Sequence, residues 1–221
     1  MDHTSAWERV LDFMRLPERP RLQEVVFGAD LTVARALAQV RPGAYYTALL
    51  MRADGGSARA EALAGMPLDL SPEGGPESFD LIALPHGVDD LIESAVAEAE
   101  GIGGFAPDSE QVRHRVVRAL RAYHRSGELE DTARPHFLRA LTGLSRTLSP
   151  RGRLVLSHHV LASDLTLGHP LEAYADYLTM ARRWLSEAAL PLQEVSADGL
   201  PGQWWLCLAL GGATDNANPV L

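Results

Sequence analysis

Three histidines stand at the ends of two apolar runs of strand length. His86 closes Phe79-Asp80-Leu81-Ile82-Ala83-Leu84-Pro85-His86, and His158 and His159 close Gly152-Arg153-Leu154-Val155-Leu156-Ser157-His158-His159. In an open α/β sheet, ligands bind outside the carboxyl ends of the strands, so imidazoles placed there face a site. Asp89, Asp90 and Glu93 follow His86 closely. Two chemistries fit the group. One is acid/base work by His86, His158 or His159 with Asp89, since neutral imidazole, with an unperturbed pKa of about 6.5, accepts a proton near neutrality. The other is a divalent-metal site of His86, Asp90 and His158, whose donors suit zinc, iron or manganese. Acids in the first turn of a helix also compensate its dipole, which gives Asp89 and Asp90 a structural reading. Side chains alternate along a strand, so one of His158 and His159 faces the crevice. Asp164, after Ser163, either reaches the same crevice or caps a turn.

The elements that must position these groups follow from hydrophobic spacing. Trp7, Val10, Leu11 and Met14 mark an amphipathic helix over residues 4–16, ended by Pro17 and Pro20. Strands are expected at 24–28, 45–51, 66–70, 79–84, 152–159, 192–195 and 204–210, and helices at 31–39, 58–64, 88–99, 109–125, 134–148 and from Pro170 to Leu185. The last of these has two apolar stripes. Leu171, Tyr174, Leu178, Ala181 and Leu185 form one; Ala173, Tyr177, Met180 and Trp184 form the other. The second stripe implies a homodimer interface, an extra packing layer or a pocket wall. Of the adjacent Trp204 and Trp205, one belongs in the core. Alternating strands and helices imply a mostly parallel sheet covered on both faces, and the close final strand pair makes the last strand antiparallel. The expected architecture is one α/β Rossmann-like domain over 1–221. Its sheet has seven strands, and residues 88–148 form a helical cap between strands four and five, hinged at Gly101-Ile102-Gly103-Gly104.

Composition narrows the classes. The net charge is −9, which argues against general nucleic-acid or anionic-membrane binding. No apolar run approaches the roughly 20 residues of a membrane span, and residues 1–21 carry no signal-peptide pattern. A single cysteine, Cys207, excludes an internal disulfide and suits a reducing cytoplasm. All twenty basic residues are arginine, which excludes lysine Schiff-base chemistry and points to a GC-rich source genome. Arg115, Arg118, Arg121, Arg125 and His114 make a basic face on one helix, read as solvated. No Gly-x-Ser-x-Gly elbow is present, and Cys207 lies inside a predicted strand, so nucleophilic hydrolysis is not expected.

Two segments carry a family resemblance: Glu77-Ser78-Phe79-Asp80-Leu81-Ile82, and Leu148-Ser149-Pro150-Arg151-Gly152-Arg153-Leu154-Val155-Leu156. Together with the element order they resemble strand four, and the entry to strand five, of class I S-adenosylmethionine-dependent methyltransferases, over residues 22–210. The resemblance implies a Rossmann-like sheet with strand four beside strand five, and a methyltransferase acting on a small molecule. It also implies that Gly28, Ala29 and Asp30 line the donor, S-adenosylmethionine. In this chain Asp30 stands where the family has a second glycine, and no acid follows strand two before Asp54. Two further readings therefore stay open. One is a non-methylating enzyme, metal-dependent or not, on the same scaffold; the other is a catalytically inactive binding or assembly subunit.

Overall fold

A computed structural model describes residues 3–27, 31–50, 63, 65–70, 78–102, 110–158, 171–196 and 200–211. Gly28, Ala29, Asp30, Asp54, Gly103, Gly104, His159, Asp164, most of the helix expected over 58–64 and the last ten residues lie outside the described set. The strands are β1 (Arg21–Val26), β2 (Tyr45–Leu50), β3 (Asp69–Leu70), β4 (Phe79–Leu84), β5 (Leu148–Ser157), β6 (Leu192–Glu194) and β7 (Trp205–Leu210). The helices considered below are α1 (His3–Phe13), α2 (Thr32–Val40), α3 (Gly87–Ala99), α4 (Glu110–Ser126), α5 (Leu129–Ser145) and α6 (Leu171–Glu187).

The strands form one sheet in the order β3-β2-β1-β4-β5-β7-β6. Pairing is parallel from β3 through β5, and β7 runs antiparallel to both β5 and β6. β3 is a two-residue edge, so six strands carry most of the sheet. The order 3-2-1-4-5 is that of a Rossmann sheet, here extended by an antiparallel strand. It puts β4 between β1 and β5, which brings the turn after β4 beside the end of β5.

Strand alternation divides the core between the two faces. Val25, Ile82, Leu84, Leu154, Leu156, Leu206 and Leu208 point to the face covered by α3, α5 and α6. Leu22, Val26, Leu81, Ala83, Val155, Trp205 and Cys207 point to the face covered by α1 and α2. Trp7 of α1 meets Trp205 edge-to-face at 5.0 Å. Trp205 is the core member of the tryptophan pair, and Trp204 is 39% exposed.

Two differences from the sequence reading have clear causes. The helix expected over 134–148 begins at Leu129, with Pro135 inside it. Leu129 and Ala133 extend the buried four-residue spacing of Phe137 and Leu141, and that burial outweighs the amide lost at proline. The Pro150-Arg151-Gly152 turn is a bulge within β5. Phe79 pairs with Leu148 and Leu81 with Arg153, so residues 149–152 stand opposite Asp80 alone. The Asp80 carboxylate accepts hydrogen bonds from the Arg21 backbone amide at 2.9 Å and from the Ser149 hydroxyl at 3.4 Å. A Cβ at Gly152 would lie 2.6 Å from the Phe79 carbonyl oxygen, so only glycine fits. The motif residues that carry the resemblance thus lock β4 to β1 and β5 at the end of the sheet away from the site.

Both stripes of α6 contribute buried residues to the core. Tyr174 and Leu178 of one stripe, and Tyr177 and Trp184 of the other, are all buried. Trp184 packs on Phe137 at 5.5 Å and donates from Nε1 to Glu130 Oε1 at 2.9 Å, while Arg183 also bonds Glu130. Trp184 of the second stripe therefore packs against α5. A network of Ser94, His136 and Glu98 also ties α3 to α5.

Gly87 starts α3 so close to β4 that a Cβ there would lie 2.4 Å from Leu84 Cβ. Gly87→Ala should cost about 1–3 kcal/mol, the usual range for overpacking. An unchanged urea midpoint would contradict this packing. Burial pushes the Cys207 thiol up to about 11. Iodoacetamide at about pH 8 should leave it unlabelled in the folded protein and label it after denaturation; rapid labelling of the native state would refute that placement.

Candidate functional site

The turn from β4 into α3 is built on one unusual residue. His86 has φ 56° and ψ 19°, the left-handed region, and is the only non-glycine residue with positive φ among those described. Histidine adopts this conformation more readily than β-branched or bulky residues. Its backbone amide donates to Ser157 Oγ at 2.8 Å, so the end of β5 holds the turn that follows β4. The Asp90 amide donates to the His86 carbonyl and closes the first turn of α3.

That corner brings Asp89 against His158. His158 Nδ1 and Asp89 Oδ1 lie 2.7 Å apart, and both side chains are 6% exposed. An ionised carboxylate only accepts hydrogen bonds, so Nδ1 carries the proton and donates it to Asp89. In the neutral ring Nε2 then keeps its lone pair. The His158 backbone amide donates to the Trp204 carbonyl at 2.8 Å, which fixes the residue at the end of β5.

Aromatic rings surround the imidazole. Tyr174 and Trp204 lie nearly parallel to it at 6.2 and 6.5 Å, and Tyr177 lies tilted at 6.5 Å. One turn along α3 from Asp89, Glu93 accepts a 2.5 Å hydrogen bond from the Tyr174 hydroxyl. The Tyr177 hydroxyl is held well above its ordinary pKa, first by burial and then by the carboxylates of Glu93 and Asp89. The site therefore has a carboxylate-oriented imidazole, a tyrosine–glutamate pair, a protonated phenol and apolar walls. It is equipped to move one proton at Nε2.

The expected group assembles in part. His158 and Asp89 meet, Glu93 lies in the same cluster, and His86 forms the corner beside them. His86, Asp90 and His158 do not make a metal site: among the described residues no group of three or more histidine, cysteine, aspartate or glutamate side chains could hold a metal ion. The reason is geometric, because the Nδ1 of His158 is committed to Asp89, and Asp90 is one residue further round α3. From sequence, Tyr174 reads as part of a core stripe and Tyr177 as part of a stripe for an interface, a packing layer or a pocket wall. Their three-residue spacing puts both on one face of α6, but nothing in the sequence pairs that face with Asp89 and Glu93.

Sequence reasoning missed Glu24. It sits in β1, fully buried. Its carboxylate accepts from the Val33 and Ala34 amides at 3.1 and 3.0 Å and from the Tyr46 hydroxyl at 2.7 Å. It thus occupies the start of α2, where a helix dipole favours negative charge. An acid inside the apolar run Glu24-Val25-Val26-Phe27, eight residues before the helix, was the available signal.

No protein-family model matches the chain, and no curated protein matches it. Solved structures resemble it in fold. The pyocyanin biosynthetic protein PhzM is 17% identical with a TM-score of 0.45, the match covering 93% of this chain and 54% of that one. A precorrin-6y C5,15-methyltransferase from Geobacter metallireducens GS-15 is 13% identical with a TM-score of 0.38, covering 93% and 87%. A SAM-dependent methyltransferase from Thiobacillus denitrificans, solved with S-adenosyl-L-homocysteine, is 14% identical with a TM-score of 0.34, covering 94% and 90%. The chain spans about half the length of the pyocyanin protein. Its strand order is itself that of a class I methyltransferase-like sheet.

Two substitutions test the local geometry. Glu24→Ala orphans two amides and a hydroxyl and should destabilise by about 1–3 kcal/mol for each group left unsatisfied; a loss under about 0.5 kcal/mol in urea unfolding would mean that water replaces the carboxylate. His86→Gly relieves the left-handed strain and should unfold at the same or a higher midpoint than His86→Ala. The opposite order would show that the backbone at position 86 is unstrained.

Proposed function

We propose that this chain is an S-adenosylmethionine-dependent methyltransferase acting on a small molecule, with His158 as general base and Asp89 as the group that orients it. The observation that carries the reading is the buried Asp89–His158 hydrogen bond at the carboxyl ends of β4 and β5, in a sheet of this order. Ligands of such sheets bind at that edge.

When bound, the donor supplies an electrophilic methyl group on a sulfonium. Its cationic character fits a site with buried carboxylates: Asp89 and Glu93 are each under 10% exposed. Gly28, Ala29 and Asp30 would hold it. His158 Nε2 takes the proton of the acceptor hydroxyl, and the resulting imidazolium is stabilised by Asp89. Tyr174, Tyr177 and Trp204 exclude water around the ring. His86 shapes the corner between donor and acceptor. α3, at the start of the segment 88–148 expected as a cap, contributes Asp89 and Glu93 to the wall.

A non-methylating enzyme on the same scaffold is the second reading. Glu24 favours it, because the Val33 and Ala34 amides at the start of α2 are already taken by the chain's own carboxylate and are not offered to a ligand.

Calorimetry separates the two readings. The methyltransferase reading expects S-adenosylmethionine to bind more tightly than about 1 mM, or −4.1 kcal/mol; no heat at that concentration would end it. With an accepted substrate, Asp89→Asn should lower kcat by about 10²–10⁴, the usual worth of general base catalysis. A kcat within about twofold of the parent would remove the dyad from the chemistry.

A further inference from the structure

Tyr177 is the polar group that this chemistry leaves without a task. The residue is 0% exposed, and its hydroxyl has no hydrogen-bond partner among the described residues. A buried hydroxyl left unpaired costs about 1–3 kcal/mol. Phenylalanine would fill the same ring volume without that cost, so packing does not account for the oxygen. Its neighbour on α6 differs: Tyr174 donates to Glu93. The Tyr177 ring lies 4.9 Å from Tyr174 and 6.5 Å from His158, and the hydroxyl feels both Glu93 and Asp89. The unpaired oxygen thus belongs to the same polar cluster as the dyad. Trp204, half-exposed and stacked beside His158, marks the side on which that cluster approaches solvent.

We propose that Tyr177 is a specificity-determining hydrogen-bond donor for the substrate, which carries an ether or carbonyl oxygen beside the hydroxyl that gives its proton to His158. The inference rests on the dyad being the substrate site. Burial keeps the Tyr177 phenol protonated, so it meets an acceptor as a donor and does not act as a base. A substrate with the acceptor oxygen satisfies the phenol. An analogue with a methylene there leaves it unpaired, and sites built this way discriminate strongly against the analogue. The ring-lined walls suit a planar apolar body around the two oxygens.

The test uses 2-methoxyphenol and 2-ethylphenol, which match in size and differ by one ether oxygen. Calorimetry with the full chain should show 2-methoxyphenol binding about tenfold more tightly, and Tyr177→Phe should bind both equally. Tyr177→Phe should also melt no lower than the parent, because no hydrogen bond of the free protein is lost. Equal binding of the two probes by the parent, or a preference that persists in Tyr177→Phe, would overturn the proposal. So would a clearly lower melting temperature, which would reveal a native partner. His158→Gln separates this inference from the reading of the site. Weakened binding of both probes supports the dyad as the substrate site. A preference lost in Tyr177→Phe but untouched by His158→Gln would reject the dyad as that site while keeping Tyr177 as a donor. Failure of both probes to bind the folded parent would reject both.

Discussion

A carboxylate removed from water must be paired, or it costs several kcal/mol, and three are buried among the described residues, Glu24, Asp89 and Glu93. Each takes its partner from a different element. Glu24 of β1 binds the first turn of α2 and Tyr46 of β2. Asp89 of α3 binds His158, 69 residues away. Glu93 binds Tyr174 of α6, 81 residues away. These pairings tie α2 to β1, α3 to the end of β5 and α6 to α3, within the apolar cores of the two faces. The opposite end is tied down in the same way, through Asp80 to Arg21 and Ser149.

The pairings also explain how a site arises in a well-packed structure. Asp89 reaches His158 because α3 starts abruptly after β4, and that start depends on His86 in the left-handed region and on Gly87 pressed against Leu84. At this corner, a left-handed backbone and a close approach fall on two adjacent residues. The rest of the group is carried by two helices, α3 and α6, and by the ends of β5 and β7, and such elements position side chains more accurately than loops do. The α6 face bearing Tyr177 and Trp184 joins the packing against α5 through Trp184 and Phe137, and on the proposed reading its Tyr177 also walls the ligand.

Much of this was legible in the sequence. The fourth strand matched residue for residue, because Phe79–Leu84 is a clean apolar run bounded by a turn. The adjacency of β4 and β5 followed from the family resemblance and brought the histidine-bearing ends together. Asp89 and His158 were both named, although a helix-dipole role described Asp89 equally well; a contact 69 residues apart leaves no local signature. Glu24 was hidden because a strand acid is ordinarily read by its solvent face. Tyr174 and Tyr177 were hidden because an apolar stripe does not show what it packs against. The start of α5 was missed at Pro135, where local propensity opposed a helix that tertiary burial kept intact.

On the proposed reading, the dyad marks a ligand site at the carboxyl edge of the sheet. A crystal structure of the protein grown with saturating S-adenosyl-L-homocysteine tests that most directly. The expected result is ligand lying across the carboxyl ends of β1 and β4, with its sulfur turned towards the corner formed by His86 and His158. An empty crevice at saturating ligand, or ligand bound at the opposite end of the sheet near Asp80 and Ser149, would contradict it.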